Sequence, residues 1–526
     1  MITKIEQHNV DYCSIIVRCK QIKEQNRLTL EELYIIIYIE YLKTEVQMDH
    51  SIFNTIATLI NMSIALLGNE SVEEIADEEE VVKSVNEFLS SNGKNNYISL
   101  QQENIIKECE KRKDYYFVRA MICQLDLLID IKEVINHYNF NTMKISSEDE
   151  KGFDGLNNNI AESGIIVLPK IKTLKAFSRY KNDCGEYVPK KNANDWLEDI
   201  NVRLRNIYYV QQRCLSGYII KNYLLSSVDQ RGNKDFIRIG MSPIIKKENL
   251  KELFDLDYYY GMTMDGLHKT QLFGIKNILC QELINHRTKL AFEEACKKNC
   301  DIFISPEMLG TDELLFTDDE ISELFRPKVS NKFQTPFLTL PPTQWKNKKN
   351  ILTVFNENGE RIGEQHKQNR FKMKKSHTNW VEDLETPKNE ILLIHIEGWG
   401  RFAFPICMDF LTNSYRDILT EKIKATFLLC PSFSKGVYNF DLTSGNDSEF
   451  EVRTVWINSC SAYEENDAEY IGLISVPSCL DRSRRTRIKP ECNGACKDIC
   501  LFLVDIPKDC NDGSKNVSVE HICESL

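Results

Sequence analysis

Ile302-Phe303-Ile304-Ser305-Pro306-Glu307 is a short apolar run that ends on a carboxylate. Three such residues are too few for a helical face and read as a buried strand, which Pro306 stops so that Glu307 stands at its end. Upstream, Leu283, Ile284, Leu290, Ala291 and Ala295 share one helix face, and Phe236 to Met241 reads as another strand. Downstream, Ile351 to Phe355 and Arg361 to His366 flank Asn356-Glu357-Asn358-Gly359, whose Asn-Gly pair signals a hairpin, and Lys367 lies just past its second strand. A second hairpin is expected from Ile391 to Ile396 and Arg401 to Ile406, turning at Gly398-Trp399-Gly400, with Cys407 just beyond it. Strands that pair as hairpins and also alternate with helices imply an α/β fold with mixed sheets in layers. Three strand ends thus offer a carboxylate, an amine and a thiol, held where a rigid scaffold can fix their separations.

These residues resemble a known family. Phe303-Ile304-Ser305-Pro306-Glu307-Met308 is similar to the element that carries the general base of nitrilase-type carbon–nitrogen hydrolases. Gly363-Glu364-Gln365-His366-Lys367 resembles their lysine hairpin, and Pro405-Ile406-Cys407-Met408-Asp409-Phe410 their nucleophile turn. Leu428-Leu429-Cys430-Pro431-Ser432 resembles the strand and Pro-Ser that follow. The resemblance implies a nitrilase-like α-β-β-α sandwich with mixed sheets over about residues 236–510, and hydrolysis of an amide, nitrile or related group with no cofactor or metal. His366, before the Lys, departs from the usual aromatic or Arg, so the substrate is left open.

On that reading Cys407 is the nucleophile and Glu307 takes its proton, since free cysteine is only a few per cent thiolate at neutral pH. Lys367 and the backbone N–H of Met408 stabilise the oxyanion, and the positive charge favours the thiolate. The family adds a second Glu between its Lys and Cys; Glu382 is the candidate and Glu385 the alternative. Asp409 is expected to fix the turn rather than to do chemistry.

The rest of the chain is different in kind. Residues 1–140 contain almost no glycine or proline and repeat apolar residues at helical spacing, as in Leu30, Leu33, Tyr34, Ile37, Tyr38 and Tyr41, with Thr29 and Glu32 forming a capping box. An all-α region is expected there, a polar linker over 141–164, a partly helical connecting segment over 165–235 with a helix near Trp196 to Tyr223, and a tail over 511–526. Of 526 residues, 42% are hydrophobic and 27% charged, as in ordinary globular proteins. The net charge of −12 argues against a general nucleic-acid binder. Arg482, Arg484, Arg485 and Arg487 make the best local basic patch, with a solvated loop as the simpler reading.

Eighteen cysteines scattered over a long acidic chain, with no leading apolar segment, suggest a reducing cytoplasm rather than a disulfide scaffold. Cys492, Cys496 and Cys500 are separated by three intervening residues each and Cys479 lies upstream, within the range for zinc but without the familiar paired form; plain thiols are the default. Cys296 and Cys300 repeat the gap in a helix. No run reaches the roughly 20 apolar residues a membrane helix needs. The expected partners are a small amide or nitrile substrate, a protein partner through the helical region, and a second copy of the chain. Nitrilase-like domains also occur fused to other modules in bacterial antiviral systems, so an interaction or defence-associated module with a vestigial site is the competing reading. Limited proteolysis of the native protein is expected to cut first between about 139 and 164, where Asn, Ser and Asp replace any continuous apolar face; first cuts inside 236–507 would contradict that division.

Overall fold

The computed structural model describes residues 52–66, 78–91, 98–129, 164–171, 204–225, 235–245, 250–262, 269–310, 334–375, 378–385, 389–447, 451–462, 470–478, 482–490, 492, 496–508 and 516–525. The capping box at Thr29, the linker over 141–163 and Cys479 lie outside the described residues. The chain divides into two compact units, one formed by Met1–Ile171 with Pro189–Arg213, the other by Lys172–Val188 with Cys214–Leu526.

The first unit holds helices over 52–66 (α1), Glu78–Ser91 (α2), Ile98–Arg112 (α3) and Tyr115–Leu127 (α4). Asp114 caps α4, accepting from the N–H groups of Tyr116 at 2.9 Å and Phe117 at 3.2 Å, two donors that the helix itself cannot satisfy. Phe117, Val118, Met121, Ile122 and Leu125 then face the unit's core. At the far end Asp126 is buried, and it accepts from the backbone N–H groups of Arg205, Asn206 and Ile207. Burial raises its pKa against the pull of those donors. These bonds anchor strand β2 (Ile207–Gln211), which pairs antiparallel with β1 (Ile165–Pro169).

The connecting segment therefore divides, and over its described residues 204–223 the expected helix near Trp196 to Tyr223 is replaced by strands; Trp196 itself lies outside the described residues. In its place are β2 and, in the second unit, β3 (Ile219–Leu225). Pairing with β14 is the reason: it gives β3 alternating buried and less buried positions, with Ile220, Asn222 and Leu224 inward, a period of two.

The second unit is built on two large sheets. The first contains β4 (Phe236–Met241), β7 (Ile302–Ile304), β8 (Leu338–Leu340), β10 (Lys349–Asn356), β11 (Arg361–His366), β20 (Cys496–Pro507) and β21 (Ser518–Ser525), in the order β11-β10-β8-β7-β4-β20-β21, with β9 (Gln344–Lys346) also on β10. The second contains β3, β14 (Glu390–Ile396), β15 (Gly400–Ala403), β16 (Phe427–Pro431), β17 (Arg453–Ile457), β18 (Gly472–Ser478) and β19 (Arg482–Ile488), in the order β19-β18-β17-β16-β15-β14-β3. A smaller sheet joins β12 (Lys372–Lys375), β13 (Thr378–Glu382), β6 (Lys269–Ile278) and β5 (Phe254–Met262).

Strand alternation shows how the layers stack. In β4, Gly240 faces helix α5 (Gln281–Lys297), where a Cβ would sit 3.2 Å from that of Ala295, while its neighbour Met241 reaches Gly472 of the other sheet. In β11, a Cβ on Gly363 would meet Leu392 of β14 at 2.9 Å, so glycine permits the two sheets to approach. Gln365 crosses the same gap: its Oε1 accepts from the Leu392 N–H and its Nε2 donates to the Glu390 carbonyl. Outside the first sheet, Ala291, Phe292 and Ala295 of α5 pack on Phe303, Phe355 and Leu501, with Cys300 in that core and Cys296 against it. Outside the second, Phe440 of helix α6 (Tyr438–Asp447) stacks on Trp456 at 4.8 Å. The order is α-β-β-α with mixed sheets, the architecture that the resemblance implied.

Its edges differ from the sequence reading. β3 runs parallel to β14 over its whole length, and β21, expected as tail, pairs with β20. The arginines of 482–487 lie in β19 rather than a solvated loop, with Arg485 and Arg487 both paired to Asp441 at 2.9 and 2.6 Å. Because Ile220 is 1% exposed, Ile220→Ala should cost about 2–5 kcal/mol of stability. Urea unfolding of the full chain checks this, and a loss under about 0.5 kcal/mol, typical of a surface change, would remove β3 from the sheet.

Candidate active site

Four strand ends bring the candidate residues together. β7 ends three residues before Glu307, β11 one before Lys367, β13 on Glu382, and β15 four before Cys407. All four side chains are buried: Glu307 is 1% exposed, Lys367 2%, Glu382 0% and Cys407 2%.

The Lys367 ammonium donates to Glu307 Oε1 and to Glu382 Oε2, each at 2.7 Å. An ammonium has three N–H donors, so one remains. Glu307 is held from two further directions: Asn350 Nδ2 donates to Oε1 at 2.8 Å, and the Phe433 N–H to Oε2 at 2.9 Å. Glu382 Oε2 also accepts from the Phe371 N–H at 2.8 Å. Its Oε1 and the Oδ1 of Asn350 are buried acceptors with no hydrogen-bond partner among the described residues. Glu385, the alternative to Glu382, instead forms a solvent-facing pair with Lys349 at 3.5 Å.

Cys407 lies within the field of the Glu307 carboxylate and has the left-handed backbone φ of 48°, at the entry to a helical turn over Met408–Leu411. A residue with a Cβ is uncommon there and is strained unless its surroundings hold it. The holding groups are identifiable. The Cys407 N–H donates to the Pro431 carbonyl at 3.0 Å, and the Phe410 N–H donates back to the Cys407 carbonyl at 3.1 Å. The N–H of Met408, first in its turn, has no intrahelical acceptor.

Asp409 is the clamp between this turn and the lysine. Its carboxylate accepts from the Asn369 N–H at 2.7 Å, Asn369 Nδ2 at 2.9 Å, the Gln368 N–H at 3.0 Å and the Ile406 N–H at 3.3 Å. Those donors begin at the residue after Lys367. Burial pushes the Asp409 carboxyl up to about 7, against the opposing pull of Asn369, Gln368 and Lys367. The expected turn-fixing role thus extends to holding two reactive side chains in one frame.

Electrostatics changes one expectation. Burial alone would lower the Lys367 pKa, but Glu307 and Glu382 outweigh it and hold the group as an ammonium well past neutrality. Burial and the two carboxylates' mutual repulsion raise Glu382, while Lys367 pulls it down. For Cys407, burial and the negative charge of Glu307 raise the pKa well above that of a free thiol, and Lys367 only partly offsets them. The resting group is a thiol. The positive charge beside it favours the thiolate, but burial and then the adjacent carboxylate outweigh it.

Sequence reasoning missed Asn350 and Phe433. Asn350 sits inside the apolar run of β10, where a lone buried amide signals a polar partner across the sheet. Phe433 contributes only its backbone, which no side-chain pattern reveals. His366 is buried, with Nε2 3.7 Å from Glu364 Oε2.

No protein-family model and no curated protein matches this sequence. Among solved structures, the chain is similar to Nit3 of Saccharomyces cerevisiae, described as a member of branch 10 of the nitrilase superfamily. That match has 15% identity, covers 52% of this chain and 91% of that one, and has a TM-score of 0.32. It is also similar to an amidase from Nesterenkonia sp., at 10% identity over 53% of this chain and 93% of that one, TM-score 0.31. A mutant of the Nesterenkonia sp. AN1 amidase, showing covalent addition of the acetamide moiety of fluoroacetamide at its active-site cysteine, matches at 11% identity over 53% and 92%, TM-score 0.32.

Removing the Asp409 carboxylate would leave several N–H donors buried without an acceptor, at about 1–3 kcal/mol each where water cannot reach. Asp409→Ala should therefore lose at least about 2 kcal/mol in urea unfolding, and Asn369→Ala, which removes one donor, should lose less. An Asp409→Ala variant as stable as wild type would show that the clamp carries no load.

Proposed function

We propose that the second unit hydrolyses a carbon–nitrogen bond with Cys407 as nucleophile. The observation that carries this is the buried Lys367 ammonium shared by Glu307 and Glu382, with the buried Cys407 thiol within the field of both Glu307 and Lys367. A carboxylate, an ammonium and a thiol are costly to bury together for packing alone.

The chemistry follows from the resting thiol. As the sulfur attacks the substrate carbon, its proton passes to Glu307, so the thiolate forms only in the reacting complex. The oxyanion that develops is met by the third N–H of Lys367 and the N–H of Met408. Glu307 then gives its proton to the leaving amine, which departs as ammonia from a primary amide and leaves an acyl thioester on Cys407. Water, deprotonated by Glu307, hydrolyses that thioester to the acid and restores the thiol. Glu382 fixes the Lys367 ammonium and takes no proton in the cycle.

The two unpartnered acceptors narrow the substrate class. Glu382 Oε1 and Asn350 Oδ1 would suit a substrate that brings N–H donors, as a primary amide does and a nitrile does not. An amide is therefore the favoured substrate.

Ammonia release from simple primary amides, glutamine and the matching nitriles, followed with the full chain, tests the reading. Amides should be the faster class, Cys407→Ala should abolish release, and Glu307→Gln should lower it by about 10²–10⁴-fold. Release that survives Cys407→Ala would refute the assignment. If neither turnover nor a covalent adduct is found on Cys407 with any member of the set, the interaction-module reading replaces it.

A further inference from the structure

The end of the chain carries a second cluster of ligating side chains, independent of the reading above. Cys492, Cys496, His521 and Cys523 come from the turn before β20, the start of β20 and the length of β21, and their donor atoms all lie within 4.8 Å of one another. The sulfurs of Cys492 and Cys496 are 2.9 Å apart, and His521 Nε2 is 3.9 Å from the Cys492 sulfur. A further thiol, Cys500, lies 3.4 Å from the same ring nitrogen. None of these cysteines is joined in a disulfide.

Local geometry explains the convergence. His521 and Cys523 are two apart on one strand and so point to the same face. Cys523 is paired in register with Cys500, and His521 with Phe502, whose ring stacks on the imidazole at 4.1 Å. That stack fixes the ring plane with Nε2 turned toward the sulfurs. The ladder is irregular between Cys496 and Cys500, and such an irregularity lets a strand re-aim a side chain.

We propose that Cys492, Cys496, His521 and Cys523 bind a structural zinc ion. Three thiolates and one imidazole nitrogen are a closed tetrahedral set for Zn²⁺, with bonds of about 2.3 Å to sulfur and about 2.0 Å to nitrogen. Tetrahedral angles then put ligand atoms roughly 3.5–3.8 Å apart, a range that the observed separations bracket. On binding, the three thiol protons pass to solvent and Nε2 donates its lone pair, so the site forms more readily as pH rises. The sequence expectation of plain thiols missed His521, which stands far from the cysteine run and outside any paired spacing.

The ion has a structural task there. β21 is the edge of the eight-stranded sheet and most of its described side chains are exposed or half-buried, so little apolar burial holds it. A metal that joins it to β20 and to the preceding turn would close the edge that β21 otherwise leaves free to fray.

Full-length protein purified under reducing conditions and reloaded with zinc sulfate should contain about one zinc per chain by elemental analysis. Cys523→Ser and His521→Gln, both at half-buried positions, should each lower that content several-fold and depress the melting temperature, while Cys407→Ser should leave zinc unchanged. X-ray absorption at the zinc edge should report three sulfurs and one nitrogen. Zinc well under one per chain in reloaded wild type, or full zinc retained by both variants, would overturn the site.

Discussion

A single ammonium buried between two carboxylates sets the terms for the second unit. Lys367 can stay charged out of water only because Glu307 and Glu382 each lie 2.7 Å away. Each carboxylate in turn is tolerable only because Lys367 and fixed N–H donors replace its water. The triad therefore requires strand ends from the first sheet and from the small sheet to arrive at fixed places. Asn350, Phe433 and Phe371 supply the remaining donors. Removing Lys367 would leave two buried carboxylates facing one another, so its loss cannot separate chemistry from stability. Cys407 can, because its neutral thiol has no charge to strand.

The same arrangement explains why the thiol rests protonated. Glu307 is close enough to Cys407 to take its proton, and for that reason its negative charge opposes a resting thiolate. In the proposed cycle that cost is removed as the proton moves onto Glu307 and the sulfur's charge passes to the substrate oxygen, beside Lys367 and the Met408 N–H.

How far the residues themselves announced this depends on what each contributes. Glu307, Lys367 and Cys407 were legible because each follows a strand whose boundaries are written in local signals: Pro306, the Asn358-Gly359 turn, and the glycines at 398 and 400. Both of those turn glycines, and Gly359, have positive φ in the structure. Glu382 was ambiguous with Glu385, since both lie in one polar stretch and only the pairing of β13 with β6 decides which is buried. β3 was missed because its partner, β14, lies far along the chain, and a strand whose register is set by a remote parallel neighbour leaves only weak alternation in its own residues.

Asp409 shows why side-chain identity at a motif is only half of the information. The sequence places an acid two residues after Cys407, and a turn-fixing role can be argued from that alone. Its principal partners, Gln368 and Asn369, are two residues whose importance lies in their position directly after Lys367. The buried acid joins the nucleophile turn to the lysine strand through main-chain N–H groups, which any residue but proline can supply. Changes at Gln368 would therefore leave one bond intact, whereas a change at Asp409 releases both segments together. Positional accuracy at Cys407 is thus set by one acceptor that serves many donors, and the left-handed backbone of Cys407 persists because the turn it begins is fixed at both ends.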